Sequence, residues 1–299
     1  MLNPIKRGAL KIIALASVTA SLAATVPAMR ACAEPVQIKP GLLRLNGNLE
    51  MPKGKTLADG EVLLIVHGML SHYGQETIAA LQKNLVERER NSLAVNLSLG
   101  IDDRKGPRAC DVTHDYAIAG AQREVASWVD WLYGQRARAV DILGFSRGGA
   151  QVAAMGPELP MVRRVVLVAP SFATSSETAL AYEKAYGRPL APLLADARKD
   201  PLKKFTADFL NCRQAPVLGA TFLDGYNELP PRLATRTGHP TLVVIAGKDE
   251  VVPNLESRLP SDVRKVTIED SSHYFPDLFG EDAADAIAQF LIREPTVTK

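Results

Sequence analysis

Hydrophobic and polar positions change rhythm several times along this 299-residue chain. From residue 36 to 52 they alternate, with Gly41, Gly47 and Pro52 as breaks, which predicts a hairpin at a sheet edge. Glu61-Val-Leu-Leu-Ile-Val66 is nearly continuous apolar sequence that ends at His67-Gly68, the signature of a strand covered on both faces. Residues 75–90 carry Ile78, Leu81 and Leu85 at helical spacing among charged positions. Leu93–Leu97 reads as a second buried strand, and about 114–134 as an amphipathic helix carrying Val125, Trp128 and Trp131. Val140–Phe145 is a strand that runs straight into Ser146, with a helix from Arg147. Val162–Val168, Thr241–Ile245 and Val263–Ile268 are further strands, and 281–292 is a closing helix. Strands alternating with helices predict the α/β class: a mostly parallel sheet with helices on both faces.

One stretch departs from this rhythm. Residues 171–238 show no buried-strand pattern, hold Pro189, Pro192, Pro201, Pro216, Pro230 and Pro231, and have helical patches at Ala179–Tyr186 and Leu202–Leu210. This predicts a mostly helical insertion. Open α/β sheets bind ligands outside the carboxyl ends of their strands, so the insertion is expected to cap a site there.

The first 33 residues form a separate unit. Lys6, Arg7 and Lys11 precede an uncharged apolar or small-residue run from Ile12 to Ala28, and Ala31-Cys32-Ala33 has the small residues a signal peptidase reads. A signal peptide at 1–33 and an exported domain at 34–299 follow, with no membrane span after cleavage. Arg30 beside Cys32 argues against a lipoprotein signal, and the export route stays open. The leader holds four cations and no acid, so removing it takes the formal charge from +2 to −2. A near-neutral domain offers no electrostatic case for nucleic acid or an anionic membrane. Cys110 and Cys212 are then the two remaining cysteines, a candidate disulfide in an oxidising compartment.

The candidate chemistry lies at Gly144-Phe145-Ser146-Arg147-Gly148. A serine on a sharp strand-to-helix turn needs small residues two positions to either side, and here a buried strand precedes it and a helix follows. With this motif, residues 55–293 resemble the α/β-hydrolase superfamily, whose nucleophile, acid and histidine follow in that chain order. Ala246-Gly-Lys-Asp249 after one strand resembles the family's acid loop, and Ser271-Ser272-His273 after the next matches its histidine loop. The other acid position used in the family reads Ala169-Pro170-Ser171 and has no carboxylate, which favours Asp249, with Glu250 the near rival.

The resemblance implies Ser146 as nucleophile, His273 as base and Asp249 as its orienting acid. It also implies oxyanion donors at the backbone N–H groups of Met69 and Arg147. The Arg147 side chain is expected to meet either an acidic substrate group or a surface partner. No cofactor or metal is implied, and His72, His114 and His239 have no partner at metal-ligand spacing. The expected partner is a small-molecule ester or acyl substrate. The activity expected is carboxylic-ester hydrolysis; acyl transfer, cleavage of small peptides, or a non-catalytic binding scaffold remain as alternatives.

Overall fold

The structure is a computed structural model that describes residues 32–292. In chain order it contains β1 (Cys32–Ile38), β2 (Leu45–Met51), β3 (Glu61–Val66), α1 (Glu76–Glu87), β4 (Asn91–Val95), α2 (Ile118–Gly134), β5 (Ala139–Phe145), α3 (Arg147–Met155) and β6 (Val162–Val168). There follow α4 (Ser175–Tyr186), α5 (Ala191–Lys199), β7 (Lys204–Phe209), β8 (Cys212–Leu218), α6 (Gly219–Gly225), β9 (Thr241–Ala246), α7 (Leu255–Arg258), β10 (Arg264–Ile268) and α8 (Leu278–Ile292). Eight strands form one sheet in the order β1-β2-β4-β3-β5-β6-β9-β10. The pairs from β4 through β10 are parallel, and the expected edge hairpin, β1 with β2, joins antiparallel.

The apolar strands are continuous because both sheet faces are covered. Along β3, Val62, Leu64 and Val66 enter a core with Val125, Trp128 and Val152 of α2 and α3. Leu63 and Ile65 point the other way, into a core with Ile78 and Leu85 of α1 and Ile287 of α8. Two cores on opposite faces hold the carboxyl ends of β3, β5, β9 and β10 in fixed register, and these ends carry the loops of interest.

The insertion differs from its sequence reading. Instead of a helix over Leu202–Leu210, β7 and β8 form an antiparallel hairpin, turning at Leu210 and Asn211. Phe205, Ala207 and Phe209 alternate with Lys204, Thr206 and Asp208, a period of two hidden by the flanking leucines and prolines. Their apolar face closes a separate small core with Tyr182, Leu190, Val217 and Phe222, so a strand here needs no contact with the main sheet.

This cap is fastened to the main domain. Cys110 and Cys212, 102 positions apart in sequence, form a disulfide with Cα atoms 5.3 Å apart. Beside it, the His114 N–H donates to Pro216 O at 2.8 Å and the Leu218 N–H to His114 O at 2.9 Å, adding the 110–117 loop to the hairpin edge. Closing so long a loop is worth up to about 4.7 kcal/mol in the chain-entropy model. The double substitution Cys110→Ser with Cys212→Ser is expected to lower Tm by about 10 °C. Limited proteolysis should then cut first within residues 200–218. An unchanged Tm would show that the backbone bonds hold the cap alone.

Candidate active site

The Gly144–Gly148 turn is built by close approach. A Cβ on Gly144 would run into Gly148 O, and one on Gly148 into His67 O, both far inside van der Waals contact. Gly149 brings α3 down on the sheet, where a Cβ would lie 2.9 Å from Gly144 O and 3.1 Å from Pro170 Cβ. Between them Ser146 takes φ 53° and ψ −122°, a conformation costly for any residue with a side chain. The turn is held by Ser146 N–H to Val168 O at 2.9 Å and Ser171 N–H to Ser146 O at 3.0 Å. The result points the Ser146 hydroxyl out of the carboxyl end of β5.

Three residues far apart in sequence meet there. Ser146 Oγ lies 2.9 Å from His273 Nε2, and His273 Nδ1 lies 2.8 Å and 3.0 Å from the two Asp249 oxygens. All three side chains are buried. An ionised carboxylate only accepts, so Nδ1 carries the imidazole proton and Nε2 accepts from the serine hydroxyl. Asp249 Oδ1 also accepts from the N–H groups of Val251 at 2.9 Å and Val252 at 2.6 Å. Burial pushes the Asp249 pKa up, but the His273 bond and these two amides outweigh it and hold the carboxyl below the ordinary range. Glu250 does not reach the imidazole ring; its Oε2 accepts from the His273 backbone N–H at 3.1 Å.

A fourth group at this centre was not legible in the sequence. Ser171 Oγ lies 3.1 Å from Ser146 Oγ. Since the Ser146 proton is given to His273, Ser171 is the donor of this bond. Only the missing carboxylate at 169–171 marked the place, and absence of an acid does not predict a hydroxyl contact.

The loop after β3 comes alongside. A Cβ on Gly68 would be 3.3 Å from Ser146 Cβ, so glycine lets this loop approach the serine. The Met69 N–H has no hydrogen-bond acceptor among the described residues. The Arg147 N–H opens α3, where the helix offers free donors and partial positive charge. His67 braces the loop: Nδ1 donates to Gly68 O at 2.8 Å, and Nε2 accepts from the Leu97 N–H and Arg104 Nη2 at 3.2 and 2.8 Å. Burial, then the Arg104 cation, pull the His67 pKa down to about 3, so it stays neutral and structural.

A cavity of about 570 Å³ opens beside Ser171 and Met69, under α4, with Tyr182, Tyr186 and Tyr226 in its wall. Residues of α4 and of the segment after α6, both in the insertion, thus line this cavity. Arg147 departs from the expectation of a surface partner: it is half-buried, and its Nη2 donates to Gly225 O at the end of α6 at 2.7 Å. Of the other histidines, His114 is fully buried under the cap and His239 Nε2 lies 3.1 Å from Gly156 O. Among the described residues no cluster of three or more His, Cys, Asp or Glu is arranged to hold a metal ion. No helix among them is long and apolar enough to cross a membrane.

The fold and this site together define a hydrolase class. A model of the "Alpha/beta hydrolase family" matches residues 63–290. The chain belongs to the alpha/beta hydrolase family. Among solved structures it is similar to Est1E from Butyrivibrio proteoclasticus, with TM-score 0.59 and 19% identity over 86% of this chain and 97% of that one. Est1E with bound ferulic acid gives TM-score 0.60 at 19% identity, covering 86% and 98%. The Pyrococcus furiosus esterase Pf2001 gives 0.56 at 15% identity, covering 88% and 90%. At these identities the likeness is one of fold. No curated protein matches the sequence significantly.

Proposed function

We propose that this chain is an exported serine hydrolase that cleaves carboxylic esters through an acyl-enzyme on Ser146. The observation that carries the reading is the hydrogen-bonded line from Ser146 Oγ through the His273 imidazole to Asp249, 2.9 Å and 2.8 Å, next to a cavity whose wall includes Met69, Arg147 and Ser171. A serine hydroxyl is a weak nucleophile until a base removes its proton, and His273 Nε2 stands at hydrogen-bond distance with its tautomer set by Asp249. Ser146 Oγ attacks the ester carbonyl as its proton passes to Nε2. The carbonyl oxygen becomes an oxyanion, received by the N–H groups of Met69 and Arg147. The tetrahedral intermediate expels the alcohol, which takes the proton from Nε2 and leaves the acyl group on Oγ. Water then repeats the sequence, giving its proton to Nε2, releasing the carboxylic acid and restoring Ser146.

The Pyrococcus furiosus esterase Pf2001 and the ferulic acid bound to Est1E, among the solved neighbours, support an ester as substrate. The test is covalent. Folded protein treated with a fluorophosphonate should carry one adduct, mapped by mass spectrometry to the peptide containing Ser146. No adduct would leave a ligand-binding scaffold in place of an enzyme, and an adduct elsewhere would move the nucleophile from Ser146.

Export rests on residues 1–33, of which 1–31 lie outside the described residues. Processing after Ala33 would remove the Cys32↔Met51 and Ala33↔Glu50 pairings of β1 and keep those from Glu34↔Leu49 to Ile38↔Leu45, so the edge hairpin survives. Protein isolated from the cell envelope is expected to show an intact mass starting at Glu34 or within a few residues of it. A full-length mass in the membrane fraction would mean an anchor instead.

A further inference from the structure

Three charged side chains line the cavity beside Ser171: Arg147, Glu177 and Arg258. Two of them satisfy each other. Arg258 Nε lies 3.2 Å from Glu177 Oε1, and Arg258 Nη2 also donates to Phe172 O at 2.7 Å. Glu177 has a second tie, accepting from the Thr174 N–H at 2.7 Å. Arg147 is left over. Among the described residues no carboxylate lies at ion-pair distance from it. Its bonded partners are backbone carbonyls, Gly225 O at 2.7 Å and Asp224 O at 3.5 Å. They bring partial charge from the end of α6 but not a full negative charge. The Asp224 carboxylate acts on Arg147 electrostatically from beyond ion-pair distance, while its Oδ2 accepts from the Ile118 N–H at 3.0 Å.

The remaining Arg147 donors, on Nε and Nη1, have no acceptor among the described residues, and neither atom is sealed from solvent. The side chain lines both the large cavity and a second space of about 30 Å³ against His67 and Gly68. A half-buried guanidinium with no anion in contact loses hydration and gains only a distant counter-charge from Asp224, which leaves it able to recognise an anionic group. Its Cα is the neighbour of the Ser146 Cα, about 3.8 Å along the chain. The same cavity wall holds Ser171, whose Oγ lies 3.1 Å from Ser146 Oγ, so one molecule can reach both Arg147 and Ser146.

We propose that Arg147 makes this cavity selective for esters that carry a second, anionic group, a carboxylate, a short distance from the scissile bond. The proposal rests on ester cleavage at Ser146. The carboxylate would take a charge-assisted hydrogen bond from a free Arg147 donor while Nη2 keeps its hold on α6. The tyrosine-lined remainder of the space accepts the uncharged part of the substrate.

The test compares matched esters. In one pair the charge is on the acyl side, 4-nitrophenyl hydrogen glutarate against 4-nitrophenyl pentanoate. In the other it is on the leaving group, 4-acetoxybenzoate against its methyl ester, with kcat/KM divided by the alkaline hydrolysis rate of each compound. In at least one pair the wild type should favour the anion by tenfold or more. Arg147→Met should erase that preference and Arg147→Lys restore part of it. The ratio within a pair is insensitive to a general loss from loosening the cap, and circular dichroism checks that each variant folds. A second readout needs no turnover: Ser146→Ala protein should bind monomethyl glutarate by calorimetry, and Ser146→Ala with Arg147→Met should bind it at least tenfold more weakly. Ratios near one in both pairs, unchanged by Arg147→Met, with equal binding by the two proteins, would overturn the proposal. Fluorophosphonate labelling separates the two readings, since labelling of Ser146 with no charge preference leaves the hydrolase standing and removes only the anionic substrate.

Discussion

Ser146→Ala is expected to lower kcat on a 4-nitrophenyl ester by about 10⁵–10⁶-fold, and His273→Ala by nearly as much, with the double substitution costing little more than either. Non-additivity is the diagnostic part. Ser146 Oγ and His273 Nε2, 2.9 Å apart, act in one proton transfer, so removing either partner removes the step. What survives should come from the cavity and from the N–H groups of Met69 and Arg147. Both variants should keep the wild-type Tm within a few degrees, because the elbow is held by backbone bonds and glycine contacts that neither substitution touches. A Ser146→Ala protein with more than about 1% of wild-type turnover would move the nucleophile elsewhere, and Ser171, 3.1 Å away, is the first place to look.

Asp249→Asn is expected to cost about 10⁴-fold in kcat near neutral pH. Asp249 Oδ1 is committed as an acceptor by Val251 and Val252, so an asparagine oxygen stays on those amides. Its NH₂ then faces His273 Nδ1, which must become the acceptor, and the imidazole proton moves to Nε2, where it opposes the Ser146 hydroxyl. Glu250→Gln is expected to stay within about tenfold of wild type, because a carboxamide oxygen can still accept from the His273 N–H. A larger loss at Glu250 than at Asp249 would show that the wrong carboxylate has been assigned. The sign of the pH effect follows from the lowered Asp249 pKa. A carboxyl held lower in the folded than in the unfolded state contributes stability above its unfolded value, and that contribution is lost as pH falls through the folded one. Denaturant melts of Asp249→Asn and wild type should therefore differ near neutrality and converge in acid.

How much of this was legible before folding depends on the range of the interaction. The strands Glu61–Val66 and Val140–Phe145, the helix from Arg147 and the parallel architecture follow from periodicity within a few residues. The elbow was legible because Gly144, Ser146 and Gly148 clash or fit within one turn. His273 and Asp249 came from a family resemblance, since nothing local brings residue 273 to residue 146. The hairpin at Lys204–Leu218 was missed because its alternating face packs on Tyr182 and Phe222, and without that core its leucines read equally well as a helix.

The sequence by itself determined the alternation of strands and helices in the main sheet and the turn that lifts Ser146, both carried by short-range patterns. Tertiary structure alone decided that Ser171 donates to Ser146, that burial together with Arg104 keeps His67 neutral under the Met69 loop, and that Arg147 spans from the elbow to α6 with its remaining donors free. Those contacts join residues 25, 37 and 78 positions apart. At such separations a hydroxyl or guanidinium finds its partner only after the two cores have set the sheet and the cap in place, because side-chain hydrogen bonds carry no periodicity for a sequence to display.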